Sequence, residues 1–172
     1  MRCLLIAASL VAAVLPAMAQ TPAAKPPACA ATEHRQFDFW IGRWDVFTAD
    51  GKKAGENLIE PIEGGCVLQE RWRGNGDFSG TSLNSWNADT KQWHQHWVDN
   101  QGGLLRLAGT LEGRRMLLAS AQPHPTKPGA TQRHRIGWTP LPDGDVRQLW
   151  ESSDDDGATW VTAFDGRYVR QR

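Results

Sequence analysis

Two histidines one residue apart, His94 and His96, sit between Trp93 and Trp97 in the stretch KQWHQHWVDN. On a β-strand, side chains alternate between faces, so His94 and His96 project together and form half of a metal site. A closed zinc site needs four ligands, and a catalytic one needs three plus water. The other histidines, His34, His124 and His134, lie in no comparable pair, and no spacing supplies a third ligand. No metal is therefore expected. Burying two indoles gains more than burying two imidazoles. Trp93, Gln95, Trp97 and Asp99 are accordingly expected to face inward, with the histidines on the outer wall.

The same alternation elsewhere yields a matching inner face. Cys66, Leu68, Glu70 and Trp72 share one side of a run, as do Ser82, Asn84 and Trp86, and Gln148, Trp150 and Ser152. The candidate ligand-binding set is thus Glu70, Trp72, Asn84, Trp86, Trp93, Gln95, Trp97, Gln148 and Trp150. A dry core would carry so many amides and an acid at a cost of about 1–3 kcal/mol for each unpaired group. A cavity holding water or a small ligand accommodates them; a filled interior in which they satisfy one another is the alternative. Indoles with amides and one acid suit a flat or amphipathic organic molecule, an aromatic metabolite or a glycan. They suit a fatty acid less well, because its carboxylate would want a buried arginine, and the side on which Arg135 falls is open.

Catalytic patterns are sparse. Ser79, Ser82, Ser85 and Ser120 occur without a Gly-x-Ser-x-Gly nucleophile elbow. Glu70 and Asp99 are candidates for a carboxylate pair acting on a small or carbohydrate substrate, with a separation that sequence leaves open. No glycine-rich phosphate loop is present. Haem would need His94 or His96 inside, against the face assignment. No catalytic residue and no cofactor are assigned.

The elements that must position these residues are short and β-forming. Runs such as WDVFTA, CVLQERWR, TSLNSW, QWHQHWVD, MLLASA, RHRIGWTP, VRQLWESS and WVTAFDGRYVR alternate with turn signals such as DGKKAG, NQGG and LPDGD. About ten strands result, with no helical periodicity of useful length. Sequential hairpins in one domain point to an all-β, single antiparallel up-and-down barrel. A Greek-key sandwich would need a longer crossing, for which only the proline-rich loop at 121–131 offers length.

The N-terminus belongs to a different category. Residues 1–19 carry Arg2, an apolar run from Leu4 to Leu15, and Ala17-Met18-Ala19, the layout of a secretory signal peptide cleaved before Gln20. Residues 20–33 read as a Pro/Ala-rich leader and residues 34–172 as the barrel domain. The apolar run is too short to span a bilayer comfortably, and no later segment is apolar enough. The expected address is exported, periplasmic or secreted. The remaining Cys29 and Cys66 are read as a disulfide worth about 4 kcal/mol by loop-closure entropy. With 19 basic and 19 acidic residues in the whole chain, nothing resembles a polyanion-binding surface, so no nucleic-acid partner is expected. The expected partner is a small-molecule ligand; protein partners are open.

The motifs FDFWIGRWDV, GGCVLQERW, WHQHWVDNQGG, VRQLWESSDDDGATW and FDGRY together resemble a functionally uncharacterised group of exported bacterial calycin-like, or lipocalin-like, proteins. The likeness covers most of residues 34–170. It implies a barrel whose first-strand tryptophan, Trp44, closes one end under an arginine of the last strand, Arg167 or Arg170. It implies no reaction. SDDDGATW, Ser153 to Trp160, matches an Asp-box, expected here to be a hairpin turn held by Asp155 with Gly157 at positive φ.

Overall fold

In the computed structural model, residues 28–172 are described. The expected signal peptide and most of the leader lie outside them. The described residues form ten strands: Gly42–Thr48 (β1), Lys53–Ile62 (β2), Val67–Gly74 (β3), Ser79–Asn87 (β4), Gln92–Asp99 (β5), Leu104–Glu112 (β6), Arg115–Pro123 (β7), Thr131–Pro140 (β8), Val146–Ser153 (β9) and Val161–Arg170 (β10). Each pairs antiparallel with its sequence neighbours, and β10 returns to β1, so the barrel closes. The proline-rich loop makes no crossing; it joins the adjacent strands β7 and β8. Closure removes the exposed sheet edge that an open meander would present. One seam is partial: β6 pairs with β5 from Leu104 onward, whereas its pairing with β7 begins at Ala108–Ala119.

The pleat sorts the residues by face. Val46, Ile59, Leu68, Leu107, Met116, Leu118 and Val146 are buried inside. The outward positions carry ion pairs, among them Arg135–Glu151 at 2.7 Å and Arg147–Asp165 at 2.7 Å. No helix among the described residues is long and apolar enough to cross a membrane.

FDFWIGRWDV does not open the first strand as a single extended run. Asp38–Trp40 is a 3₁₀ turn, and β1 begins only at Gly42. With three residues per turn, Phe37 and Trp40 fall on one side. Both are fully buried and stack at 4.9 Å. Together they plug one end of the barrel, with Trp93 edge-on to Phe37 at 5.6 Å and Trp138 at 5.3 Å from both.

The same end carries the arginine closure. Trp44 Nε1 donates to the Trp40 carbonyl at 2.9 Å, and the Arg170 guanidinium lies 4.3 Å above the Trp44 ring. Arg170 also donates to the Ile41 carbonyl. Gly42, at φ 151°, leaves room for this arginine, since a Cβ there would stand 2.4 Å from Arg170 Nη1. Arg167 is on the other face of β10 and takes no part; it pairs outside with Asp143 and Asp145. The two differ by an odd number of residues, so only one can share the inward side of Tyr168.

Cys29 and Cys66 form a disulfide across 37 positions. It ties the segment preceding the plug to the start of β3, next to a hydrogen bond from Arg35 to the Gly65 carbonyl. The Asp-box is a turn between β9 and β10. Ser153 Oγ donates to Asp155 at 2.7 Å, the Thr159 amide donates to Asp155 at 2.8 Å, and Gly157 takes φ 93°. Those donors, the Thr159 hydroxyl foremost, hold the Asp155 carboxyl down at about 2. Trp160 lies under the Arg135 guanidinium at 4.1 Å, on the outside of the barrel.

Candidate functional site

At the end opposite the plug, the lumen opens into a cavity of about 470 Å³. Its walls are the rings of Trp72, Trp97, Trp138, Trp150, Phe164 and Tyr168, with Glu70, Gln95 and Gln148 deeper in. The loop joining β3 to β4, including Phe78, forms part of the mouth, and Asp77 and Asp99 are at the rim.

Glycines explain why so many large rings leave space. A Cβ at Gly80 would fall 2.2 Å from Trp97 Cζ2, one at Gly166 2.4 Å from Phe164 Cε1, and one at Gly55 2.9 Å from Trp72 Cζ2. Each ring therefore occupies the place of a missing side chain, on the neighbouring strand for Trp97 and Trp72 and two residues along the same strand for Phe164. Trp97 is further held by its N–H to Asp99 at 3.3 Å, and Trp72 meets Phe164 edge-on at 6.3 Å. Trp150 donates to His134 Nδ1 at 3.2 Å. Burial lowers the His134 pKa, outweighing the opposing pull of Asp154, and favours the neutral ring that can accept that bond.

The floor is a polar network. Asn57 donates to Glu70 Oε1 at 2.7 Å, and Ser82 Oγ donates to Glu70 Oε2 at 2.6 Å. Asn84 donates to Ser82 at 2.9 Å and to the Leu68 carbonyl at 3.1 Å, while Gln95 donates to Asn84 at 2.9 Å. On the far side, Tyr168 donates to Gln148 and accepts from Asn57. Most of these groups thus satisfy one another, so unpaired polarity is not what makes the space; the ring-on-glycine packing is. Burial pushes the Glu70 carboxyl up despite the two donors, since no cationic side chain neutralises it. Burial, then the charge of Glu70, raises Tyr168 well above its ordinary range.

Of the residues singled out by alternation, Glu70, Trp72, Gln95, Trp97, Gln148 and Trp150 line the cavity. Asn84 is fully buried in the network beneath it. Trp93 is buried at the plug, where its N–H reaches Gln36 at 3.3 Å, and Trp86 packs at that same end opposite Trp93. These three face inward but below the open space, because a strand of eight or nine residues traverses both plug and cavity. Glu70 and Asp99 both line the cavity but are held differently, Glu70 buried in the floor network and Asp99 at the rim. Burial works to raise Asp99, but the Gly103 and Gln101 amides and the Trp97 indole outweigh it and keep it low, as the anchor of the mouth loop. Arg135 faces outward, bound to Glu151. His96 is exposed on the outer wall and His94 contacts Thr90 at 3.1 Å. Among the described residues, no group of three or more His, Cys, Asp or Glu is placed to hold a metal ion.

Among the lining residues that sequence reasoning did not single out are Trp138, Ala163, Phe164 and Tyr168. The inward positions around them, Ile136 and Trp138 on β8 and Phe164, Gly166 and Tyr168 on β10, include no amide or acid to mark them. The pairing of glycines with rings on neighbouring strands was a signal, but one usable only once the register is known. No protein-family model matches the chain, and no curated protein matches it either.

Proposed function

We propose that the protein is an exported carrier that binds a small organic ligand in the open end of its barrel. One observation carries this reading: three rings, Trp72, Trp97 and Phe164, pack into the places left by glycines and hold an aromatic-walled space of about 470 Å³ open before any ligand arrives. Ligand sites are typically concave, mostly apolar and largely preformed, with a few polar groups to orient the occupant. The plug at the other end makes the lumen a blind pocket. The Cys29–Cys66 disulfide and the leader sequence support export, and the closed barrel with its Trp44–Arg170 closure supports membership of the calycin-like group.

The test is native mass spectrometry on protein from its own compartment, followed by the denatured mass. Mature protein beginning at Gln20 and retaining a small organic molecule supports the reading. Loss of that adduct in Trp97→Ala and Trp150→Ala, with the fold intact, locates it. A retained adduct unaffected by both substitutions sets the lumen aside.

A second reading has one observation in its favour. Glu70 is buried, raised and unpaired by any cation, as a general acid would be. It makes the protein an enzyme on a small or carbohydrate substrate, and turnover lost in Glu70→Gln with ligand binding retained would choose it. A structural role for a filled barrel has no such support. The exposed Leu83, Val98 and Leu104 on the outer wall offer a patch, but the lumen above the network is open.

A further inference from the structure

The charge of the cavity is one-sided. Glu70, Asp77 and Asp99 line it, and among the described residues no Lys, Arg or His does. Of the arginines adjacent in sequence to its lining, four pair with carboxylates outside: Arg71 with Glu60, Arg135 with Glu151, Arg147 with Asp165, and Arg167 with Asp143 and Asp145; Arg73 and Arg106 are exposed, on the strand face opposite Trp72 and Leu105. An anionic occupant would therefore meet three carboxylates and nothing to offset them.

The floor also needs donors. Glu70 receives one hydrogen bond on each oxygen, both from neutral groups, and an ionised carboxylate can accept about four. Ser82 already accepts from Asn84 and lies 3.5 Å from the Gln95 amide nitrogen, so its hydroxyl proton is directed at Glu70. Gln95 gives its N–H to Asn84, which leaves its carbonyl oxygen as an acceptor beside the cavity. Trp72, Trp97, Trp138 and Trp150 line the cavity, and the negative π-density of an indole face attracts a cation.

We infer that the lumenal occupant is an organic cation: a protonated amine on a flat apolar body, with its ammonium against Glu70 and its body between the indoles. This rests on the proposed lumenal binding and names the ligand class for it. Buried carboxylates are stabilised when a partner of opposite charge supplies the missing compensation, and here the partner comes from outside the chain. Gln148 accepts from Tyr168 through its carbonyl oxygen, which leaves its N–H to meet an acceptor on the ligand body.

The experiment is calorimetric titration of the mature protein with three molecules of one shape: 2-naphthylmethylamine, 2-naphthylmethanol and 2-naphthoic acid. The amine is expected to bind at least tenfold more tightly than the alcohol, and the acid more weakly than either. Glu70→Gln should reduce the amine to the affinity of the alcohol while leaving the alcohol unchanged. That unchanged alcohol, with an unaltered circular-dichroism spectrum, shows that the variant is folded. Asp77→Asn and Asp99→Asn at the rim separate general attraction from the specific contact, since only Glu70→Gln should abolish the preference. Amine binding should also release protons where Glu70 is still protonated, read as a dependence of the heat on buffer ionisation. Tyr168 is the other titratable group facing Glu70, and it stays protonated throughout. The trimethylammonium analogue distinguishes an N–H contact with Glu70, which it lacks, from attraction to the indoles alone. Equal binding of the alcohol or acid, or a preference that survives Glu70→Gln, overturns the cationic assignment and leaves lumenal binding standing. If no member binds, the lumenal reading falls and this inference with it.

Discussion

A methyl group added at Gly80 would stand 2.2 Å from Trp97 Cζ2 and 2.5 Å from Cη2, with the Val98 carbonyl oxygen at 2.8 Å. Carbon atoms not bonded to each other rest at about 3.5–4.0 Å, so Gly80→Ala must drive the indole inward by more than about 1 Å. The barrel wall is behind the ring, and the cavity is the side with room. Overpacking of this kind costs about 1–3 kcal/mol. The urea midpoint should fall accordingly with an unchanged m-value. The displaced indole also takes space from the lumen, so the affinity for a naphthyl probe should drop by about tenfold or more, equivalent to about 1.4 kcal/mol. The decisive assay is a double-mutant cycle with Trp97→Ala. Without the indole the clash largely disappears, and the two substitutions should be coupled by about 1 kcal/mol or more. Additivity within about 0.5 kcal/mol, or a Gly80→Ala protein that binds as the parent does, would refute the claim that the ring rests on the glycine.

Four further outcomes are expected. Replacing both Cys29 and Cys66 by serine should cost about 4 kcal/mol in denaturant unfolding, from a loop of 37 positions by the chain-entropy argument, and an unchanged midpoint would remove the disulfide from the stability of the fold. Trp40→Ala, which empties the stack on Phe37, should cost about 3–5 kcal/mol in the same assay while the mouth residues stay in place; a loss under about 1 kcal/mol would mean that the plug is not anchored there. Arg170→Met should lower stability by about 0.5–2 kcal/mol where Arg167→Met changes it less, and equal effects would contradict a role for the Trp44 stack. Glu70 has a folded pKa above its unfolded value of about 4.3, so its contribution is fully present below that pH and lost as pH rises through the folded pKa. The unfolding midpoint of the parent, relative to Glu70→Gln, should therefore decline from about pH 4 upward and then level off; a relative gain over that window would show the carboxyl to be stabilised as an anion in the free protein.

The fold was legible from the chain because its signals are local. Turn residues at regular spacing and period-two alternation specify hairpins, and sequential hairpins leave few alternatives to an up-and-down barrel. Inward placement of Glu70, Gln95, Trp97, Gln148 and Trp150 follows from alternation alone, as does the outward placement of His94 and His96. What alternation lacks is height along the barrel axis. Nothing in the sequence distinguishes Trp93, buried under Phe37, from Trp97, open to the cavity four residues on, because both lie on the same face.

Height depends on the 3₁₀ plug, on the register that sets Trp97 on Gly80, and on the pairing of β10 with β1 that brings Arg170 to Trp44. The plug against Trp93 and Trp138, Trp97 on Gly80, and Arg170 on Trp44 are relations between residues on different elements, and only the paired, closed sheet brings them together. Sequence by itself determined strands, faces and the pairing of two cysteines. Tertiary structure decided which end is plugged, which is open, and that Glu70 lies at the bottom of the open one with no cation of its own. The physical reason is that burial and charge compensation are properties of a closed volume, and a list of local preferences does not contain that volume.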